Sequence, residues 1–228
     1  MKLTVDYHCH LLPGIDDGAS SPEITKAMLE KLASQGIRLV YATPHFIAHR
    51  QSVKSFLKQR DDALRQTLPL LPEGVRLLPA AEVALEQNIS ETCDLSSLTM
   101  GSSRSVLIEL PFSARQDWIA HEIDNILYGQ GITPVFAHIE RYRDIYGKEL
   151  FAKILATEGA IFQFTTGALR HFSVRRLFKR LCEDGLPILL GSDAHNADKR
   201  PPDFDKVSPM LDRLFKKGVP DSFHRLES

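Results

Sequence analysis

Nine histidines are spread along the 228-residue chain. Five of them, His8, His10, His45, His138 and His195, fall at or just beyond the end of a short β-branched apolar run. Carboxylates stand at matching points: Asp17 in the loop after the first run, Glu82 after the third, Glu109 on the fourth and Asp193 after the seventh. Neutral imidazole and carboxylate are nitrogen and oxygen donors that suit zinc, iron or manganese, and no thiolate set is offered for a closed structural zinc site. In His8-Cys9-His10 the two-residue spacing puts both imidazoles on one face of an extended strand, where they can chelate one ion. Cys9 then turns to the opposite face, toward a helical layer. Asp193 and His195 share that spacing. Arg141 follows His138 by three residues and Arg200 follows His195 by five. A guanidinium beside a metal cluster can grip phosphate oxygens in a bidentate fork that lysine cannot reproduce. The ordinary alternative is a surface ion pair, with Glu140 or Asp144 for Arg141 and with Asp198 or Asp203 for Arg200. His49, His121, His171 and His224 fall in helical stretches or the tail and read as surface groups. His45 and His49 have the i, i+4 spacing of a helical zinc pair, but His45 directly follows Pro44 at a strand end, so no shared helical face is expected.

Such a set needs elements that bring distant residues to one mouth. No sequence repeat is present, but a rhythm is: Leu3–Tyr7, Arg38–Ala42, Val75–Pro79, Val106–Leu110, Thr133–Ala137, Ala160–Phe164 and Pro187–Leu190 are apolar runs separated by helical spacing. Most are continuous rather than alternating, as expected of parallel strands covered on both faces. Ser21-Pro22-Glu23 opens a helix with a cap candidate, a first-turn proline and an early acid, and Gly36 closes it. Ile119 to Leu127, Glu149 to Thr157 and Val174 to Cys182 continue the pattern. Strand and helix alternate with no linker rich in Ser, Gly or Pro, so one α/β domain over residues 1–228 is expected, either a doubly wound sheet or a barrel. In both, ligands bind at the carboxyl ends of the strands, and six of the seven runs deliver a candidate ligand there.

Composition removes several classes of function. Lys and Arg number 28 against 29 Asp and Glu, a net charge of −1, which disfavours a nucleic-acid partner. No apolar run approaches the length of a transmembrane helix, and Asp6 and His8 stand where a signal peptide needs an apolar core. Cys9, Cys93 and Cys182 are too few and scattered for a disulfide framework, so a cytoplasmic protein with reduced thiols is the expectation. A cysteine-based phosphatase needs an arginine six residues after its nucleophile. Those positions hold Ile15, Thr99 and Ile188, which rules that chemistry out.

The motifs DYHCHLLPGIDDG (6–18), ATPH (42–45), AEV (81–83), LIEL (107–110), AHIERY (137–142) and GSDAHN (191–196) resemble those of the polymerase and histidinol phosphatase (PHP) superfamily. More narrowly, they resemble the bacterial manganese-dependent protein-tyrosine phosphatases of capsule and exopolysaccharide clusters. The resemblance implies a single distorted (β/α)7 barrel holding three divalent ions, most often manganese, with iron or zinc as alternatives. His8, His10, Glu82 and Asp193 would hold the first ion, Glu82, Glu109 and His138 the second, and Asp17, His45 and His195 the third. Four carboxylates only partly neutralise three divalent cations, so such a cluster attracts phosphate. Arg141 and Arg200 fall at phosphate-binding positions, His195 is a candidate proton donor, and Asp16 reads as a supporting acid or loop cap. The implied substrate is a phosphotyrosine protein, a tyrosine autokinase of polysaccharide export. The rival readings are a small-molecule phosphatase of the histidinol-phosphate type, a metal-dependent nuclease and a non-catalytic barrel. Acids at 17 and 109, where histidine would suit the first rival better, favour the tyrosine-phosphatase branch.

Overall fold

The computed structural model describes residues 2–113, 117–215, 223 and 226. Among the described residues nine parallel strands form two sheets. β1 (Val5–Cys9), β2 (Leu39–Ala42) and β4 (Arg76–Pro79) make a three-stranded sheet in the order β1-β2-β4. The other sheet runs β3 (His45–Phe46), β5 (Glu82–Ala84), β6 (Ser105–Glu109), β7 (Thr133–Phe136), β8 (Ile161–Thr165) and β9 (Ile188–Gly191). Each of the seven expected runs is a strand. What the runs do not announce is that the second and third are each followed by a further short strand, β3 and β5. Pro44 and Pro79 have no N–H to give to a ladder, and the sheet divides at these positions. The chain stays aligned across the gap, because Ala80 N donates to Ala42 O (2.8 Å) and Glu82 N to Pro44 O (3.0 Å). The break matters because His45 and Glu82 open β3 and β5 as direct register partners.

Among the described residues seven α-helices intervene: α1 (Pro22–Ser34), α2 (Val53–Thr67), α3 (Ile89–Thr92), α4 (Ile119–Asp124), α5 (Tyr142–Leu155), α6 (Phe172–Glu183) and α7 (Phe204–Leu214). α1 begins at the expected proline and stops before Gly36, whose φ of 91° a side chain would resist. α5 starts earlier than the expected segment and is interrupted at Gly147, which lies outside helical φ/ψ. α2 has an irregular buried stripe of Phe56, Arg60, Ala63 and Thr67. The arginine in that stripe disguises the helix in sequence.

Strand residues divide by parity into two apolar layers. Ile108, Phe136, Phe162 and Leu190 face the helices and pack with Ile123, Ile126, Tyr142 and Phe178. Leu107, Val135, Ile161 and Leu189 point the other way and pack together with Tyr7 and Tyr41. Two residues further along the same strand faces stand Glu109, Ala137, Gln163 and Gly191. The apolar layer is therefore a floor, and the residues above it carry the site. Cys9 is buried with Met28, Leu29 and Leu32 of α1, on the helical side as its parity requires. The end of β1 also meets the segment after β9. Asp193 N donates to His8 O (2.7 Å), His10 N donates to Ala194 O (2.9 Å), and the buried Asp6 carboxylate accepts from Ser192 N (2.8 Å) and Ser192 Oγ (2.6 Å).

Candidate metal centre

All nine candidate ligands meet above this floor, where the carboxyl ends of β1, β2, β6, β7 and β9 converge with the starts of β3 and β5. Glu82 lies at the centre, 1% exposed. Its Oε2 is 3.2 Å from both His8 Nε2 and His10 Nε2, and 3.1 Å from His45 Nδ1. Its Oε1 is 3.0 Å from His138 Nε2, which is also 3.3 Å from Glu109 Oε1. Asp17 Oδ1 faces His45 Nε2 at 3.5 Å and His195 Nε2 at 3.4 Å. Asp193 Oδ1 lies 3.6 Å from both His8 and His10, and 3.7 Å from His195 Nδ1.

The imidazoles are held by their far nitrogens. His8 Nδ1 donates to Gln163 Oε1 (3.0 Å), His10 Nδ1 to Asp16 Oδ2 (2.8 Å) and His195 Nδ1 to Asp193 O (3.0 Å). In that tautomer each presents an Nε2 lone pair to the centre, the arrangement that orients metal-binding histidines. Asp16 plays the supporting part expected of it. It also accepts from Gly18 N (2.9 Å) and His45 N (3.0 Å), so one carboxylate fixes two candidate ligands and the loop between them. Gly18 must be glycine: a Cβ there would lie 2.1 Å from His10 O. Gly191 is under the same constraint, because a Cβ would lie 2.4 Å from His8 Cβ. His138 and Asp193 adopt positive φ, 32° and 51°, a backbone conformation uncommon for residues other than glycine and typical of functional sites.

Electrostatics couple the carboxylates of the centre to its imidazoles. Burial opposes ionisation of Glu82, yet the imidazoles around it hold its carboxyl well below the usual range. Burial would lower His10, but Asp16 and Glu82 outweigh it and raise its pKa to about 10. His138 behaves alike, rising to about 9 against burial through Glu109 and Glu82. His195 goes the other way, lowered to about 4 by burial and by the charge on His10. The carboxylates thus favour positive charge at this point. Even so, Glu82 Oε2 makes no hydrogen bond, although three imidazole nitrogens lie within 3.2 Å. A buried carboxylate oxygen ringed by nitrogens with no aligned donor fits a cation. Three ligand groupings are compact enough for one ion each: His10, Asp17, His45 and His195; His8, His10 and Glu82; and His45, Glu82 and Glu109.

Both arginines reach this centre rather than the surface acids of the alternative reading. Arg141 Nη2 and Arg200 Nη2 (3.0 Å) both bind Asp193 Oδ2. Asp193 therefore turns Oδ1 to the cluster and Oδ2 to two guanidiniums. A cleft of about 480 Å³ opens beside them, lined by Arg141, Asp193, Arg200 and Arg170 among others. His49, His121 and His171 are exposed and stand apart from the centre, as expected, with His49 bound to Glu86 instead. His224 lies outside the described residues.

Sequence reasoning missed Gln163 and Asp6. Gln163 is fully buried and its Oε1 takes hydrogen bonds from two places, His8 Nδ1 and His138 N (2.8 Å). The available signal was a single amide inside the apolar run Ile161-Phe162-Gln163-Phe164. Asp6 belonged to the first motif but read only as part of the strand.

Fold and centre together define a parallel α/β protein with a cluster of nitrogen and oxygen donors rimmed by arginine. Over residues 4–224 the chain matches the CpsB/CapC capsular polysaccharide synthesis family, and it belongs to that family. It is 29% identical over 229 residues to the tyrosine-protein phosphatase YwqE of Bacillus subtilis (strain 168), covering 95% of this chain and 87% of that protein. A crystal structure from work on YwqE of Bacillus subtilis and CpsB of Streptococcus pneumoniae, metal-dependent tyrosine phosphatases, superposes with a TM-score of 0.78. The two chains are 26% identical, and the match covers 95% of this one and 90% of that one. The histidinol phosphate phosphatase of Lactococcus lactis, solved with zinc, L-histidinol and phosphate, shares the fold at a TM-score of 0.64. It is 15% identical, with 98% and 95% of the two chains covered. Among the described residues no helix is long and apolar enough to cross a membrane.

Proposed function

We propose that this protein is a metal-dependent protein-tyrosine phosphatase built as one PHP-type domain over residues 1–228, its nine strands forming a distorted (β/α)7 barrel. The observation that carries the reading is the convergence of five imidazoles, four carboxylates and two guanidiniums on one rim, in a family whose relatives bear that name. His8, His10, Glu82 and Asp193 would hold one divalent ion, Glu82, Glu109 and His138 a second, and Asp17, His45 and His195 a third. Manganese is the first choice, with iron or zinc acceptable to the same donors. When bound, such ions supply Lewis acidity, draw in an anionic substrate and lower the pKa of coordinated water toward neutrality.

The chain's own groups do the rest. Arg141 and Arg200 already point their Nη2 atoms at one acceptor, Asp193 Oδ2. A phosphate dianion offers the same two donors more acceptors, and bidentate pairing would orient it for in-line displacement. The positive φ of Asp193 sets the carboxylate between rim and cluster, so arginine placement and ligand placement are one feature. His195 keeps Nε2 turned to the cluster, because Nδ1 donates to the Asp193 carbonyl, so it serves as a ligand, and the proton for the leaving group would come from coordinated water instead. Tyrosine, with a pKa of about 10, leaves as phenolate with less help than an alkoxide. Cysteine plays no part: Cys9 is fully buried, and burial pushes its thiol well above its ordinary pKa. The substrate would be a cytoplasmic phosphotyrosine protein, a tyrosine autokinase of polysaccharide export.

The test is hydrolysis of a phosphotyrosine peptide, the matching phosphoserine peptide, histidinol phosphate and single-stranded DNA, with manganese and with chelator. Manganese-dependent turnover of the phosphotyrosine peptide is expected. Preference for histidinol phosphate or cleavage of DNA would overturn the substrate assignment, and chelator-resistant turnover would overturn the chemistry.

A further inference from the structure

β6 delivers Glu109 to the cluster, and the chain then passes through buried Leu110 and Pro111 to Phe112. Among the described residues four large hydrophobic side chains are exposed, Leu68, Phe112, Tyr128 and Phe172. Phe112 alone of these stacks on a residue of the centre. Its ring lies 6.1 Å from that of His138 with the planes 20° apart, and 5.6 Å from that of Tyr142 with the planes 24° apart. Tyr142 is fully buried and stacks in turn on Tyr146 (5.4 Å). Tyr146 Oη donates to Pro111 O (2.5 Å), which ties the backbone beside Phe112 to α5. The ring is therefore the outer end of an aromatic column rooted in the core, and it is still 54% exposed. A singly exposed apolar ring is ordinary, but this one is fixed against a candidate ligand and so is placed to be covered by something bound at the site.

The local geometry indicates what that is. His138, Arg141 and Tyr142 lie on one turn of chain, between β7 and the start of α5. The histidine lies under Phe112 while the arginine reaches Asp193 at the cluster's rim. Phe112 thus stands over a candidate ligand that lies three residues before Arg141, one of the two guanidiniums proposed to hold the phosphate. Aromatic rings recognise one another by offset stacking or edge-to-face contact, and a column fixed in advance loses little entropy in doing so.

We propose that Phe112 is the platform for the substrate's aromatic ring, and that it sets a preference for aryl over alkyl phosphomonoesters. This rests on the phosphatase reading above and names the residue that would select the ester group. The test uses the manganese-loaded protein and two non-hydrolysable probes, phenylphosphonate and methylphosphonate, with binding measured by calorimetry. Phe112→Ala should weaken phenylphosphonate about three- to tenfold, the worth of an aromatic pair, and leave methylphosphonate unchanged. Phe112→Tyr should restore the difference and Phe112→Leu should not. For a phosphotyrosine peptide, Phe112→Ala should raise KM with little change in kcat, and bound manganese should stay at the wild-type level.

Equal weakening of both probes, loss of manganese, or full function in Phe112→Leu would overturn the proposal, because each marks Phe112 as a cover for His138. If the wild-type protein hydrolyses no phosphomonoester but still prefers phenylphosphonate through Phe112, the platform stands and the phosphatase reading falls. If it binds neither probe, both fall.

Discussion

The two ends of the ligand cluster are built differently. At the inner end His8 and His10 are fully buried, Glu82 and His138 almost so. Their backbones belong to strands or immediate strand ends, the far nitrogens of His8 and His10 rest on buried Gln163 and on Asp16, and Gln163 also takes the His138 backbone N–H. At the outer end the Asp17 side chain is 66% exposed and that of His45 is 24% exposed. Asp17 sits on the loop after β1, where nothing but the two histidines it faces is needed to hold it. The inner end is a rigid cage fixed by the same packing that fixes the sheet, and ligands placed this way lose little freedom when an ion binds. The outer end is open to water and to screening by salt. The two ends thus differ in rigidity, and Glu82 contacts residues of both.

That shared carboxylate offers the most damaging way to break the comparison. Glu82→Gln keeps size and shape while removing the one charge that touches His8, His10, His45 and His138. Lewis-acid stabilisation is worth several kcal/mol, and each factor of ten in rate is about 1.4 kcal/mol, so activity should fall by at least about a thousandfold. Metal analysis should show depletion at both ends. Loss of ions from one end only would mean that the two are independent.

A smaller effect separates the cage from its support. Gln163 touches no cluster oxygen, yet it accepts from His8 Nδ1 and His138 N. Gln163→Leu would fill the space and leave two buried donors unsatisfied, a cost of about 1–3 kcal/mol for each. Supporting groups of this kind typically govern metal affinity by about ten- to a hundredfold. The expected result is a lower Tm together with weaker inner-end binding, measured by differential scanning calorimetry and by metal titration. An unchanged affinity would show that strand packing alone orients the histidines.

The same contrast explains how far the site could be read without coordinates. Ligands announce themselves because histidine and carboxylate at the ends of apolar runs are chemically unusual, and all nine positions meet. Supports such as Gln163 and Asp6 do not, since each is one polar residue whose telling partner, His8 for Gln163 and Ser192 for Asp6, lies 155 or more positions away. Only the fold brings them together. The strand pattern was legible for a related reason: period-two burial on both faces leaves continuous apolar runs. The division at Pro44 and Pro79 was not, because proline marks a broken ladder but not which sheet the chain joins next. α2 escaped notice because its buried stripe includes Arg60, whose Nη1 is satisfied by the Ala80 and Ser97 carbonyls (3.3 Å each). On sequence distance alone, a surface ion pair was as open as a phosphate clamp for both arginines of the rim. They reach Asp193 instead because the loop after β9 folds back beside the turn after β7.

The mildest prediction concerns the open end. Asp17→Asn retains an oxygen at the same position but removes its charge, and that charge is mostly in water. Stability should be untouched, since an exposed pair contributes little to folding. Affinity for one ion should drop, at the low end of the ten- to hundredfold range seen for lost supporting groups, because His45 and His195 remain. Activity measured at limiting manganese should therefore fall, and excess manganese should restore it. Glu82→Gln should show no such rescue, because its defect lies where no free concentration of ion can replace a bridging charge. If Asp17→Asn were equally beyond rescue, the outer end would be as much a part of the cage as the inner one. The exposure of Asp17 would then mark a way in for substrate rather than a weakly held ion.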